Sequence, residues 1–133
     1  VVKEVKFLGA QEILQAQDIK YQEVAAWGGT VRVRSLSGKE RDDYERQCIE
    51  FKGKGKTDIK SNMRARLVCL AACDNSGKRL FTDDQMIMLG AKSAAELDKV
   101  FAVAQQLSGI TDADVEELEK NSDATQGDDS PSN

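Results

Sequence analysis

Cys48, Cys69 and Cys73, the adjacent acids Asp42-Asp43 and Asp83-Asp84, and the run Lys52-Gly53-Lys54-Gly55-Lys56 are the residues whose types and spacing invite chemistry. The thiols suggest zinc or redox work. Three cysteines with no histidine leave few ways to complete a tetrahedral zinc site, and none stands in the paired CxxC spacing such sites use. Cys69 and Cys73 lie one turn apart on a predicted helix, which raises the idea of a redox pair. Small buried hydrophobes account for them better, and an odd, sparse set reads as reduced thiols. The acidic pairs both fall in the first turn of predicted helices, where negative charge favours the helix dipole, so capping is the preferred reading. Without histidine the usual acid-base residue at neutral pH is missing, and no nucleophile stands with a base. The chain is therefore read as a non-enzyme with no catalytic residues, cofactor or metal.

Glycine and lysine invite a phosphate. Neither Gly28-Gly29 nor Gly53-Lys54-Gly55-Lys56 has the strand, GxxxxGK[ST] and helix context of a P-loop, so nucleotide binding is rejected. Lys52, Lys54, Lys56 and Lys60, with Arg64 and Arg66 beyond them, form a basic segment suited to a phosphate backbone. No aromatic residues interleave to stack bases, and a solvated loop that keeps the protein soluble is preferred. A small helical nucleic-acid-binding regulator using residues 52–66 is carried as the alternative function.

The elements that must position these residues follow from periodicity and capping. A short helix is expected over Ala10–Ala16, with Ile13 and Leu14 as its apolar edge. A hairpin spans residues 21–36 across a Gly28-Gly29 turn, setting Trp27 against Thr30, Ala26 against Val31, Val24 against Val33 and Glu23 against Arg34. Val24, Ala26, Val31 and Val33 then share one face, and the hairpin's outer edges are open. Trp27, beside the turn, either caps the core or stands out as an anchor, and the core is preferred.

Ser37 and Glu40 form a capping box for a helix from about Gly38 to Phe51, with Tyr44, Cys48 and Phe51 inward. A helix over about Ile59–Cys73 carries Ile59, Met63, Leu67 and Leu70 on its core stripe while Arg64 and Arg66 point elsewhere. Asp74-Asn75-Ser76-Gly77 is a turn. Thr82 with Gln85 opens a short helix to Gly90, with Phe81 as a staple against Met86. Ser93 with Glu96 opens a helix to about Ser108, whose face is Leu97, Val100, Phe101, Ala104 and Leu107, and Thr111 with Asp114 opens the last one.

The fold class expected is mainly α, about five helices with one small β-hairpin, in a single domain over residues 9–121. Residues 1–8 stand apart as an N-terminal segment, disordered or foreign to the domain. Residues 122–133 are expected to be a disordered acidic tail. Charge divides along the chain. Residues 112–133 hold eight acids and one base, giving -7 and leaving +3 for residues 1–111 of a net -4. No apolar run approaches the length that spans a bilayer, so a soluble, intracellular protein without a membrane partner is expected.

The order and spacing of several short pieces resemble a known family. Trp27-Gly28-Gly29, the basic strand Val31-Arg32-Val33-Arg34, and the serine-led helix with Ser37, Arg41 and Tyr44 are its clearest part. The likeness continues through Ala65-Arg66-Leu67-Val68, Gly77-Lys78-Arg79-Leu80-Phe81-Thr82-Asp83, Leu89-Gly90, Lys92-Ser93-Ala94-Ala95 and Val115-Glu116-Glu117-Leu118, covering most of residues 9–120. These resemble the tail assembly chaperones of long-tailed, lambda-like siphophages. The resemblance implies a bacteriophage chaperone that coats the tape measure protein, keeps it soluble, recruits tail tube subunits and is absent from the finished virion. It implies a frameshift-extended form that docks the tail tube protein, and residence in the host cytoplasm. Self-association is expected. Trp27, Arg32, Arg34, Leu97 and Phe101 are the residues put forward for partner binding.

Overall fold

The segment Met63–Cys73 is the most apolar stretch of the sequence, and the buried core forms around it. A computed structural model describes residues 4–50 and 59–128, with side chains described for residues 4–48 and 63–120. In chain order the elements are α1 (Ala10–Gln15), β1 (Tyr21–Ala26), β2 (Gly29–Arg34), α2 (Gly38–Glu50), α3 (Ile59–Ala71), β3 (Ala72–Cys73), a 3-10 turn (Asp83–Gln85), α4 (Met86–Gly90), α5 (Ala94–Leu107) and α6 (Asp112–Asp128). Mainly α in a single compact region is what the sequence implies, and it is what forms.

α3 is buried on almost every side, with Met63, Ala65, Leu67, Val68, Cys69, Leu70 and Ala71 all inside. A helix apolar all round has to be surrounded. α2, α4, α5 and α6 do so, bringing Tyr44, Cys48, Leu89, Leu97, Val100, Ala104 and Leu118 against it. Arg66 departs from the expected pattern. It lies inside, donating from Nη1 to Gln47 Oε1 at 3.2 Å.

The hairpin forms, but in another register. Trp27 and Gly28 are the loop, with φ of 52° and 76°, and the pairs are Ala26 with Gly29, Val24 with Val31, Gln22 with Val33, Glu23 with Arg32 and Tyr21 with Arg34. Positive φ at both loop positions matches the twist that a two-residue hairpin requires. Because every partner moves by an even step, Val24, Ala26, Val31 and Val33 keep their common face, as expected. Ser35 N–H bonding to Lys20 O at 2.8 Å closes the open end in the same register.

The hairpin is also not alone. α3 stops at Ala71, and Ala72–Cys73 continues as β3, pairing Val33 with Ala72 and Arg32 with Cys73. Asp74 turns the chain back by accepting the N–H groups of Ser76 (2.8 Å) and Lys78 (3.0 Å). Gly77 sits in that turn at φ 87°, where a Cβ would come within 2.8 Å of Tyr21 Oη. Three strands in the order β1-β2-β3, with α5 against the hairpin, supply the support a lone hairpin lacks. Among the described residues, one expected edge is thus covered at Arg32 and Val33 and the other is open.

The capping boxes hold to different degrees. Ser37 with Glu40, and Thr111 with Asp114, exchange both bonds. Thr82 receives only half, since Gln85 Oε1 accepts its N–H while its hydroxyl donates to Asp84. Phe81 and Met86 both lie half-buried against the core. Ser93 caps Glu96 N–H, but the Glu96 carboxylate turns away. At the other end, α6 continues to Asp128, past the Asn121 boundary drawn from composition. Phe51 and the run Lys52–Lys56 lie outside the described residues, as do residues 129–133.

Candidate partner-binding surfaces

Trp27, Arg32, Arg34, Leu97 and Phe101 meet different fates. Leu97 is buried, 3% exposed, and Phe101 is half-buried against the core. Both hold α5 in place. Arg32 lies over the Tyr21 ring, its guanidinium carbon 4.1 Å from the centroid, and donates from Nη1 to Asn75 O at 2.5 Å and Asp74 O at 3.4 Å. It fastens the turn after β3 to the hairpin.

Arg34 donates from Nη1 and Nη2 to the two carboxylate oxygens of Glu40, at 3.3 and 2.5 Å, and from Nη2 to Leu70 O at 3.4 Å. A two-pronged pair of this kind is directional as well as charged. Burial alone would raise the Glu40 pKa, but the bonds from Arg34 and Ser37 outweigh it and hold the carboxyl below its ordinary 4.5. Both arginines therefore bind strands and helices of their own chain.

Trp27 is the one of the five that stands out, 40% exposed at the hairpin tip. The preference for a core position fails. A bulky residue at positive φ is strained by about 1–2 kcal/mol, so something must hold it. Glu96, at the start of α5, accepts the Trp27 N–H at 2.5 Å and also binds Lys99 Nζ at 2.9 Å. Those bonds draw the Glu96 pKa below 4.5. The diverted capping carboxylate is what ties the hairpin tip to α5.

Sequence periodicity missed the largest apolar exposure. Val5, Phe7, Leu8, Ile13 and Leu14 are all exposed, with Phe7 at 87%, and α1 has no buried residue. Burying such side chains fully is worth about 1.5–3 kcal/mol each, and within this chain that gain goes unused. Ile87 and Met88 on α4 add a second exposed pair at 76% and 69%. The signal was present in Ile13 and Leu14 as an apolar edge. What periodicity lacks is whether a partner face exists.

Of the groups that invited chemistry, the three thiols are inert and Asp43 and Asp83 are paired. All three cysteines are free and buried. Burial pushes the Cys48 thiol up to about 12 and raises Cys69 and Cys73, against which the nearby Arg66, Arg79 and Arg32 work only in part. Tyr44 Oη is buried without a conventional hydrogen-bond partner among the described residues, beside the Cys48 thiol, and burial raises its pKa too. Asp43 binds Lys39 and Arg46, and Asp83 binds Arg79. In the described part of the basic segment, Arg64 pairs with Asp98 at 2.5 Å and Arg66 is interior.

Among the described residues no cluster of three or more His, Cys, Asp or Glu is arranged to hold a metal ion. Within the same residues no helix is long and apolar enough to cross a membrane. Comparison with protein-family models, curated proteins and solved structures finds no match to this chain.

Proposed function

We propose that the chain is a tail assembly chaperone of a long-tailed phage, which binds the tape measure protein, keeps it soluble in the host cytoplasm and leaves before the virion is complete. The observation that carries the reading is the exposed apolar arm of Val5, Phe7, Leu8, Ile13 and Leu14, with Trp27, Ile87 and Met88 elsewhere on a body rich in charge. Several separate apolar contacts suit a client that must be covered and later released, because each is weak and their sum is reversible. The ordered likeness of residues 9–120 to that family supports the same reading. Recruitment of tail tube protein would fall to a frameshift-extended form, and the chain would associate with itself.

Co-expression with the tape measure protein encoded beside its gene tests this, read by size-exclusion chromatography with light scattering. The expected outcome is a soluble complex of defined stoichiometry. A folded chain that leaves the tape measure protein insoluble removes the chaperone reading.

A further inference from the structure

Two unpaired features occur in one chain. Among the described residues β1 has a strand neighbour on one side only. In its ladder Ala26, Val24 and Gln22 turn their backbone groups toward β2, as the two-residue loop and the Ser35 to Lys20 bond require. Tyr21, Glu23 and Ala25 therefore turn theirs outward, and among the described residues they form no backbone bond outside the β1–β2 ladder. The second feature is Glu4-Val5-Lys6-Phe7-Leu8. Charged and apolar residues alternate over Glu4–Phe7 with the period of a strand, yet the segment has no regular structure and every residue is exposed. Among the described residues Lys6 makes only a long, solvent-exposed pair with Glu12 at 3.9 Å.

We propose that residues 4–8 of a second copy add to the open edge of β1 as an antiparallel fourth strand, with Lys6 opposite Glu23. That register sets Val5 opposite Val24, Leu8 opposite Tyr21, Glu4 opposite Ala25 and Phe7 opposite Gln22. Lys6 meets an opposite charge, and Val5 and Phe7 extend the face that already carries Val24 and Ala26. Pairing β1 with another β1 about its centre would instead set Glu23 against Glu23, which like charges oppose. The contact joins an arm to an edge, so it is head-to-tail and propagates into rings or filaments. It rests on the assembly reading above for its purpose, and on the arm and the edge for its geometry.

The test is the mass of the full chain by light scattering across a concentration series. The expected result is wild-type mass that rises with concentration. Ala25→Pro removes an outward N–H while leaving the β1–β2 ladder whole, and Val5→Asp with Phe7→Asp spoils the arm. Each should reduce the species to monomer with unchanged circular dichroism. If Ala25→Pro misfolds, the arm variant decides, because it lies outside the folded body. Lys6→Glu and Glu23→Lys should each weaken association about two- to fivefold, and the double reversal should restore it.

A wild type that stays monomeric overturns the proposal, and so does association that survives the arm variant. If it survives while the tape measure protein is still kept soluble, strand addition fails and the chaperone reading stands. If association behaves as expected while the wild type leaves that client insoluble, the chaperone reading fails alone.

Discussion

The part of α3 from Met63 to Ala71 and the arm from Val5 to Leu14 are both rich in large apolar side chains, and they end in opposite places. The first is buried almost throughout; the second is exposed throughout. Composition does not separate them. α3 is long enough to be met by four other helices, whereas α1 spans Ala10–Gln15 and its flanks bring no second apolar face. Apolar surface stabilises a fold only where the chain supplies both sides of the contact.

That contrast is breakable in order of effect. Leu67→Ala, fully buried in the core cluster, should cost about 2–5 kcal/mol in urea unfolding. Leu14→Ala should cost under about 0.5 kcal/mol while lowering the yield of soluble tape measure protein. Equal losses from the two would erase the distinction between core and arm.

Alkaline unfolding should come next. Cys48 stays neutral in the folded chain to about 12 but ionises near 9.0 once unfolded, so its contribution is complete below pH 9.0 and is lost as pH rises toward 12. A pH series of urea midpoints on wild type and Cys48→Ala should therefore show a shallower alkaline decline in the variant. The arm contains no such group, and its deletion should leave the decline in place.

Arg34→Gln should cost about 2 kcal/mol, because Glu40 and Leu70 O lose a partner in a half-buried site. The same pair makes stability fall as pH drops below 4.5, since the carboxylate of Glu40 is favoured in the folded state and its advantage disappears on protonation. Arg34→Gln should flatten that acid limb. Smallest is Trp27→Gly, in which relief of the left-handed strain offsets lost packing, leaving stability within about 1 kcal/mol of wild type. Client binding should fall nonetheless, and a variant that binds normally would remove Trp27 from the binding surface.

The helices and their caps were legible because each depends on neighbours three or four residues away. Ser37 with Glu40 and Thr111 with Asp114 are bonded as their spacing implies. The shared face of Val24, Ala26, Val31 and Val33 was legible for the same reason, since alternation survives an even shift of register. The register itself was not, because local turn chemistry favours Gly28-Gly29, whereas the loop that forms holds Trp27 at positive φ with a bond to Glu96 across the fold. Glu96 marks the difference. As part of a box with Ser93 it is a local signal, yet its carboxylate serves the Trp27 N–H across the fold.

The candidate surfaces divide along the same line. Basic residues on a strand look available to a partner in the sequence, but Arg32 and Arg34 donate to Asn75, Asp74, Glu40 and Leu70 of the same chain. By itself the sequence determined the mainly α class, the capping boxes of Ser37 and Thr111, the shared hairpin face and the want of histidine chemistry, all of which follow from residue type and short-range spacing. Tertiary structure alone decided that Arg66 is inside, that Ala72–Cys73 joins the hairpin as a third strand, and that Trp27 and the arm face outward. These depend on which groups distant segments bring together, and a side chain is buried or bonded only when something arrives to meet it.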